Sequence, residues 1–528
     1  MGNFEQKGRA LQRIVVMKKW SSFYKLCLVV LLASTQVIVG SDITTLNNND
    51  PMPMFTTQYP YALLGIAEQE YIKSNHRTEC PSHFGFTITP FYQRASCGKD
   101  TCGNKAELGD IKGLWNMLAI LDDSGNTNPS PCYVEKLTEV GTNLIKEINS
   151  IFGSSDNTPT EVDNIKNLLE TQQSQTLLKK TLGYYSVEAK YNKRGVRFQI
   201  ESVICGGFGF ALKSGISSIS FCPTFVDQTP SATSYNPLAP KIVSDSATNA
   251  STTTWKGVTK AISNDVMSNL NPIATAIGLD ICSYRKTDME DLYGELFWRH
   301  PFQINKRSHT GEWPKFLFIP MVVLGGSLDI AKPIDTAKAF AIPAGNNGHR
   351  SWYIRGGFSF DFYETINLSL AAGYTAFNSK SYNNVFVPST EAQSSIFPCK
   401  VSVCKNPGSN FDYSIGFNAY HFLAGSNQPL DKLSFYFQYR YMCHQEDTIT
   451  LNQDSKDCNS STYTAENLAM FLPNNLECVS GFSMQVFNIG FNYDISPNML
   501  IGFAAQIPYK RKGAFRSTTL LGSLEFTF

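Results

Sequence analysis

His349 and Ser351, at the start of an alternating stretch, have the types and spacing of a base and its nucleophile. On an extended strand, residues two apart share a face, so the imidazole could take the hydroxyl proton. Trp352, Ile354 and Phe358 set the register, and they turn both His349 and Ser351 to the opposite, inward face. Trp352 and Tyr353 follow the serine, and the pair reads best as the edge of a loop. No Walker phosphate loop, HExxH, GxSxG elbow or dinucleotide-binding glycine fingerprint is present, and the seven histidines are scattered. The chain is therefore expected to be no enzyme and to use no metal or cofactor.

A second set of residues suggests passage of solutes. Lys190, Arg197, Arg299, Arg355 and Arg440 fall at polar positions of alternating stretches, as do Glu188, Glu201, Glu295, Asp361 and Glu525. Five positive and five negative groups balance. Inside a wide pore they would tune ion selectivity, and inside a narrow one they would pair across the bore and block it. The pore-lining candidates are Lys190, Arg197, Glu201, Glu295, Arg299, Arg355, Asp361, Arg440 and Glu525. Arg197 and Glu201 are too far apart along an extended strand to meet, so each must find a partner on a neighbouring strand.

The elements that must carry these groups are strands. Over 517–528, Leu520, Gly522, Leu524, Phe526 and Phe528 face one way, and Thr519, Leu521, Ser523, Glu525 and Thr527 the other. The same period recurs at 499–507, 483–493, 433–443, 411–423, 366–377 and 350–362. Weaker stretches lie at 315–325, which contains Pro320, and at 291–300; earlier ones are 196–212, 182–191 and 84–93. The total is about twelve, with ten or fourteen also fitting, and an even number closes a barrel. Short links, such as residues 192–195 and 363–365, fall at one end. Long connections at 96–181 and 213–289 fall at the other. Val134, Leu137, Val140, Leu144, Ile148 and Ile151 recur at helical spacing inside the first long loop, and 255–281 suggests another helix or two.

Composition agrees. Charged residues make up 17% of the chain, below the usual globular quarter, while 36 Phe and 24 Tyr are present. Beyond residue 40 no run of about 18 apolar residues occurs, which excludes a helical membrane protein. A net charge of +1 gives no footprint for nucleic acid, and Lys510, Arg511 and Lys512 read as a solvated loop tip. Met17, Lys18, Lys19 and Lys25 precede an apolar run over 26–33, which reads as a secretory signal within an upstream segment 1–41. Residues 42–83 read as a periplasmic lead-in or an inner plug, and 84–528 as the barrel with its loops. Thirteen cysteines, twelve without Cys27, predict disulfides in an exported chain, with Cys97 and Cys102, or Cys399 and Cys404, able to close small loops.

An alternating closing strand that ends on Phe528, behind a secretory signal, resembles the bacterial outer-membrane β-barrels, porin-like proteins among them. The resemblance covers the signal and roughly residues 182–528. It implies an all-β fold, a transmembrane antiparallel barrel in the outer membrane, in contact with outer-membrane lipid. It also implies recognition of the strand ending in Phe528 by the barrel-assembly machinery. The many thiols are similar to those of cysteine-rich porins of intracellular bacteria, which implies disulfide-rigidified loops or intermolecular crosslinks. Outer-membrane phospholipases and lipid A deacylases resemble the His349/Ser351 stretch locally, although the phospholipase pattern continues Asn-Gly after the serine. Two functions follow from the barrel reading: a passive channel for ions and small polar solutes, or a largely closed barrel that displays its loops for adhesion or ligand binding. A lipid hydrolase is the remote third. A homo-oligomer is compatible with all three.

Overall fold

The computed structural model describes residues 84–116, 184–228, 267–304 and 316–527, apart from short breaks within these ranges. The expected signal, the 42–83 segment, the helical pattern at 134–151 and Phe528 lie outside the described residues. Twelve strands form the wall: β1 (Phe84–Ala95), β2 (Tyr184–Cys205), β3 (Phe208–Asp227), β4 (Leu292–Arg299), β5 (Phe316–Leu328) and β6 (Ser351–Phe362), then β7 (Ile366–Phe377), β8 (Asn410–Ala419), β9 (Leu433–His444), β10 (Phe482–Ser496), β11 (Met499–Lys512) and β12 (Thr518–Thr527). Each pairs antiparallel with its sequence neighbours, and β12 returns to pair with β1 from Gly85↔Thr527 to Arg94↔Thr518. The ring is closed, so no strand edge of the wall is left unpaired. Among the described residues no helix is long and apolar enough to cross a membrane.

Alternation decides which way each side chain points. Phe198, Ile200, Leu212, Leu296, Leu324, Trp352, Ile354, Leu370, Phe491 and Phe503 are all exposed on the outside, a lipid-facing band. Thr87, Gln199, Ser359, Asn367, Asn418, Gln438 and Asn488 are buried on the inside. A small apolar cluster of Phe91, Tyr436, Ala504 and Leu521 fills one part of the bore. Two of the wall prolines sit where the ladder is open: Pro320 on β5 lies between the stretches that pair with β4 and with Phe302–Gln303, and Pro90 lies in a gap of the β1–β12 register.

The strand count matches the expectation, but two strands have other bounds. The expected turn at residues 192–195 lies inside β2, which runs unbroken from Tyr184 to Cys205. Asn192 and Gly195 have turn chemistry, but Gly195 serves a close approach instead. A Cβ there would lie 2.1 Å from the Ile216 carbonyl oxygen of β3. The actual turn contains Gly207, with φ +86°, where a Cβ would meet the Arg299 carbonyl oxygen at 1.9 Å. The stretch 196–212 therefore belongs to two strands.

The described parts of the long connections gather at one end, the loop end, and pack into a cap. Its sheet of Lys380–Val387, Cys399–Asn406 and Thr448–Leu451 buries Tyr382, Val401, Val403 and Ile449. These join Trp115, Tyr185, Phe221, Phe340 and Phe386 in one apolar cluster, so the cap and the upper wall share a core. Of the helix expected over 255–281, Leu270–Ala276 is described as helical. The cysteine pairs drawn from spacing are not joined: Cys97 is not bonded to Cys102, nor Cys399 to Cys404. The last two lie five residues apart on one strand, on opposite faces and about 16 Å apart at about 3.3 Å per residue.

Candidate functional site: the barrel bore and its mouth

The bore is charged along two thirds of the wall, from β2 round to β9. Arg197 on β2 donates from Nε to Glu290 Oε2 at 2.6 Å and from Nη2 to Oε1 at 3.1 Å. Lys193 Nζ reaches the same carboxylate at 2.6 Å. Lys213 on β3 and Glu295 on β4 are 2.6 Å apart, and the Tyr353 hydroxyl donates to Glu295 at 2.7 Å. Arg299 on β4 pairs with Glu201 on β2 at 3.0 Å. Arg355 on β6 and Arg440 on β9 share Asp412 of β8, at 3.1 and 2.9 Å. The wall completed by β10, β11, β12 and β1 presents mainly amides and the Phe91 cluster, with Asn488 donating to Gln438 at 2.6 Å, and Glu525 of β12 adds an inward carboxylate.

Five of these contacts skip a strand, and three of the five pass over a glycine. Arg197 faces Gly215 across the β2–β3 register, and the Glu290 amide bonds to the Gly215 carbonyl from the other side. Glu295, Gly325 and Tyr353 form a row across β4, β5 and β6. Arg355, Gly373 and Asp412 form another across β6, β7 and β8. A Cβ would intrude each time: 2.9 Å from Arg197 Cγ at Gly215, 2.4 Å from the Tyr353 ring at Gly325, and 2.7 Å from Asp412 Oδ1 at Gly373. The missing side chain is the channel through which the two neighbours touch.

Seven of the nine candidates drawn from the sequence lie in the bore and carry a buried or half-buried group there: Arg197, Glu201, Glu295, Arg299, Arg355, Asp361 and Arg440. Glu525 faces inward as well, on the Leu521 side of β12. Lys190 does not. With the expected turn gone, the β2 alternation runs through Tyr191, Lys193 and Arg197 as inward residues, which leaves Lys190 and Glu188 exposed on the outer wall. The sequence reading also missed Lys193, Lys213, Glu290 and Asp412. Asp412 was readable from Phe411 outward beside it, but Glu290 sits in a break between strands, where alternation says nothing.

The loop between β5 and β6, residues 329–350, seats over this belt. Lys193 Nζ donates to the Ala344 carbonyl at 3.0 Å, and the Asp291 carboxylate accepts the Ala331 and Asn346 amides at 3.2 and 2.5 Å. The ring of Phe340 lies 5.1 Å from Phe221 and 5.2 Å from Trp115. Beneath the loop a cavity of about 40 Å³ opens among Glu201, Lys213, Glu295, Arg299, Tyr353 and Arg355. That is room for about three waters at about 10–15 Å³ each.

His349 and Ser351 are buried in the loop base but do not meet. His349 Nδ1 donates to the Asn378 carbonyl at 2.9 Å and its Nε2 lies 2.8 Å from the Tyr382 hydroxyl, while Ser351 bonds Ser327 at 2.7 Å. The base and the nucleophile each have another partner. Among the described residues no cluster of His, Cys, Asp and Glu is placed to hold a metal.

No protein-family model matches the chain, and no curated protein matches it in sequence. Solved structures with a similar barrel include an outer-membrane channel from Pseudomonas putida F1, with a TM-score of 0.38 at 5% identity over 85% of this chain and 97% of that one. The translocator domain of the autotransporter NalP from Neisseria meningitidis gives 0.31 at 6% over 89% and 96%, and the NanC porin 0.25 at 8% over 64% and 94%. The closed ring of twelve antiparallel strands, apolar outside and polar within, makes this chain an outer-membrane β-barrel.

Proposed function

We propose that the protein is a narrow channel for ions and small polar solutes, with residues 329–350 seated in its mouth as a constriction. The observation that carries this reading is the belt of ion pairs facing the bore, from Arg197 and Glu290 to Arg440 and Asp412. A barrel that only had to be filled would gain as much from apolar side chains, because a buried ion pair adds little net stability. Charges of both signs around a water-sized cavity suit the passage of small polar species and oppose wide-bore diffusion. Single-channel recording of the purified protein in a planar bilayer tests it. Small reproducible steps are expected, larger when the 329–350 loop is shortened. A folded protein that stays silent in both forms would sink the channel reading.

The cap favours a second reading, since its apolar cluster could hold a display surface for an external ligand. In that case deleting the Lys380–Val387 and Cys399–Asn406 region would abolish partner binding and spare the barrel. Insertion by the barrel-assembly machinery, with β12 as the recognised strand, belongs to both readings.

A further inference from the structure

Just above the lipid-facing band, one sector of the outer wall is basic. On β1 the outward series Phe84, Phe86, Ile88 and Tyr92 ends in Arg94. On β2, read towards the loop end, Ile204, Ile200, Phe198 and Val196 give way to Arg194 and then Lys190. The strand Tyr284–Met289, which continues the wall beside β3, turns Met289 outward and then Arg285. Beyond the outward Thr518 of β12 comes the exposed Arg516, and beyond Tyr509 of β11 the exposed Lys510.

Strand register places these groups side by side. Thr518, Arg94, Asn192, Ser220 and Arg285 form one row across five neighbouring strands. Arg194 lies in the row below, between Tyr92 and Ser218. Arg94 and Arg285 are three strands apart, about 14 Å at about 4.8 Å per strand, with Arg194 on the diagonal from Arg94. Arg94, Lys190, Arg194 and Arg285 are exposed and form no salt bridge among the described residues. One acid, Glu188, shares the surface two residues above Lys190.

The opposite sector ends differently. Its outward series close on Trp352, Tyr374, Phe411 and Tyr441, and the outward arginine there, Arg350, is paired with Asp329 at 2.9 Å. Aromatic rings at the rim are the ordinary interfacial girdle. Unpaired arginines in their place call for an anion at headgroup depth.

We propose that the sector from β11 round to β3 binds phosphate groups of lipids in the leaflet at the loop end. Guanidinium forks take phosphate oxygens two at a time, and Thr518, Asn192, Ser218, Ser220 and Thr287 add donors between them. The wall below supplies acyl-chain contact through Tyr92, Leu520, Val196 and Ile216. That contact commits the site to a lipid, because a soluble phosphate gains nothing from a place against an aliphatic band.

The test is lipid selectivity at the protein surface, read by electron spin resonance with spin-labelled phosphatidic acid and phosphatidylcholine around the full chain reconstituted in phosphatidylcholine. The wild type is expected to enrich phosphatidic acid about fivefold or more, the effect of about one basic residue at an anionic surface. A variant with Arg94→Gln, Arg194→Gln and Arg285→Gln should bring the ratio to near unity, and Arg350→Gln should leave it unchanged. Should the triple variant fail to fold, Arg285→Gln alone, on a strand outside the closed ring, should still lower the ratio. No preference in the wild type, or full preference in a folded variant, overturns the proposal. So does loss of the preference to inorganic phosphate at matched ionic strength, which would assign the arginines to a soluble anion.

Discussion

Arg355 and Asp412 stand on strands that do not touch, yet their Nη2 and Oδ2 atoms are 3.1 Å apart, because Gly373 lies between them. In a β-sheet, side chains two strands away are about 10 Å apart and meet only if the intervening position is empty. The Gly373→Ala change puts a methyl 2.7 Å from Asp412 Oδ1 and 3.3 Å from Arg355 Nε. The carboxylate must move, and a buried charge deprived of its partner costs about 3–5 kcal/mol. A loss in that range is expected in unfolding of the detergent-solubilised protein. Gly356→Ala on the same sheet, where a Cβ meets nothing within 4 Å, is the neutral control.

Asp412 also decides the sign of charge in its part of the bore. It answers both Arg355 and Arg440, so Asp412→Asn leaves two buried guanidinium groups facing one amide. Reversal potentials in a salt gradient should shift towards anion selectivity, and Lys213→Met, which leaves Glu295 without its cation, should shift the other way. Equal reversal potentials in both variants and the wild type would mean that ions do not pass this belt.

How far the sequence spoke depended on what alternation can see. It found twelve strands and the inward face of Arg197, Arg299, Arg355 and Arg440, because an apolar wall in contact with lipid forces period two. It predicted partners for Arg197 and Glu201 on neighbouring strands, whereas the partners, Glu290 and Arg299, lie beyond the neighbour β3. It misplaced Lys190, since Asn192 and Gly195 have the composition of a turn while the long-range β1–β2–β3 pairing holds them extended. The glycine gaps were silent: Gly215, Gly325 and Gly373 read as weak strand positions until the side chains beside them are in place. The lid formed by residues 329–350 was equally hidden, because its contacts with Lys193 and Asp291 span far more sequence than any local pattern.

Phe340 pins that loop. Its ring packs against Trp115 and against Phe221 and Phe225 of β3. Truncation to alanine removes about 3–5 kcal/mol of packing. The expected outcome is faster amide exchange over residues 331–346 and larger or noisier conductance steps, with the strands of the wall as protected as before. Unchanged exchange over the loop would show that its polar contacts hold it without the ring.

Two cap groups give acid and base opposite effects. Burial pushes the Asp110 carboxyl up from 3.8 to about 6, although its bonds to the Ser186 hydroxyl and Val187 amide act the other way. Burial lowers His349 from 6.5 to about 4. Between about pH 4 and 6 the folded cap therefore holds a proton on Asp110 that the unfolded chain has released, and this contribution to stability is lost as pH rises through that window. For His349 the unfolded chain takes up a proton below about 6.5 that the folded cap refuses until about 4, so its contribution is lost as pH falls. Asp110→Asn should make the cap lose more stability on acidification than the wild type does, and His349→Gln should make it lose less. Amide exchange of the segments around Leu108, Trp115 and Phe386, followed from pH 7 to 5 and corrected for intrinsic rates, separates the two. If both variants track the wild type across that range, neither group titrates with the docking of the cap.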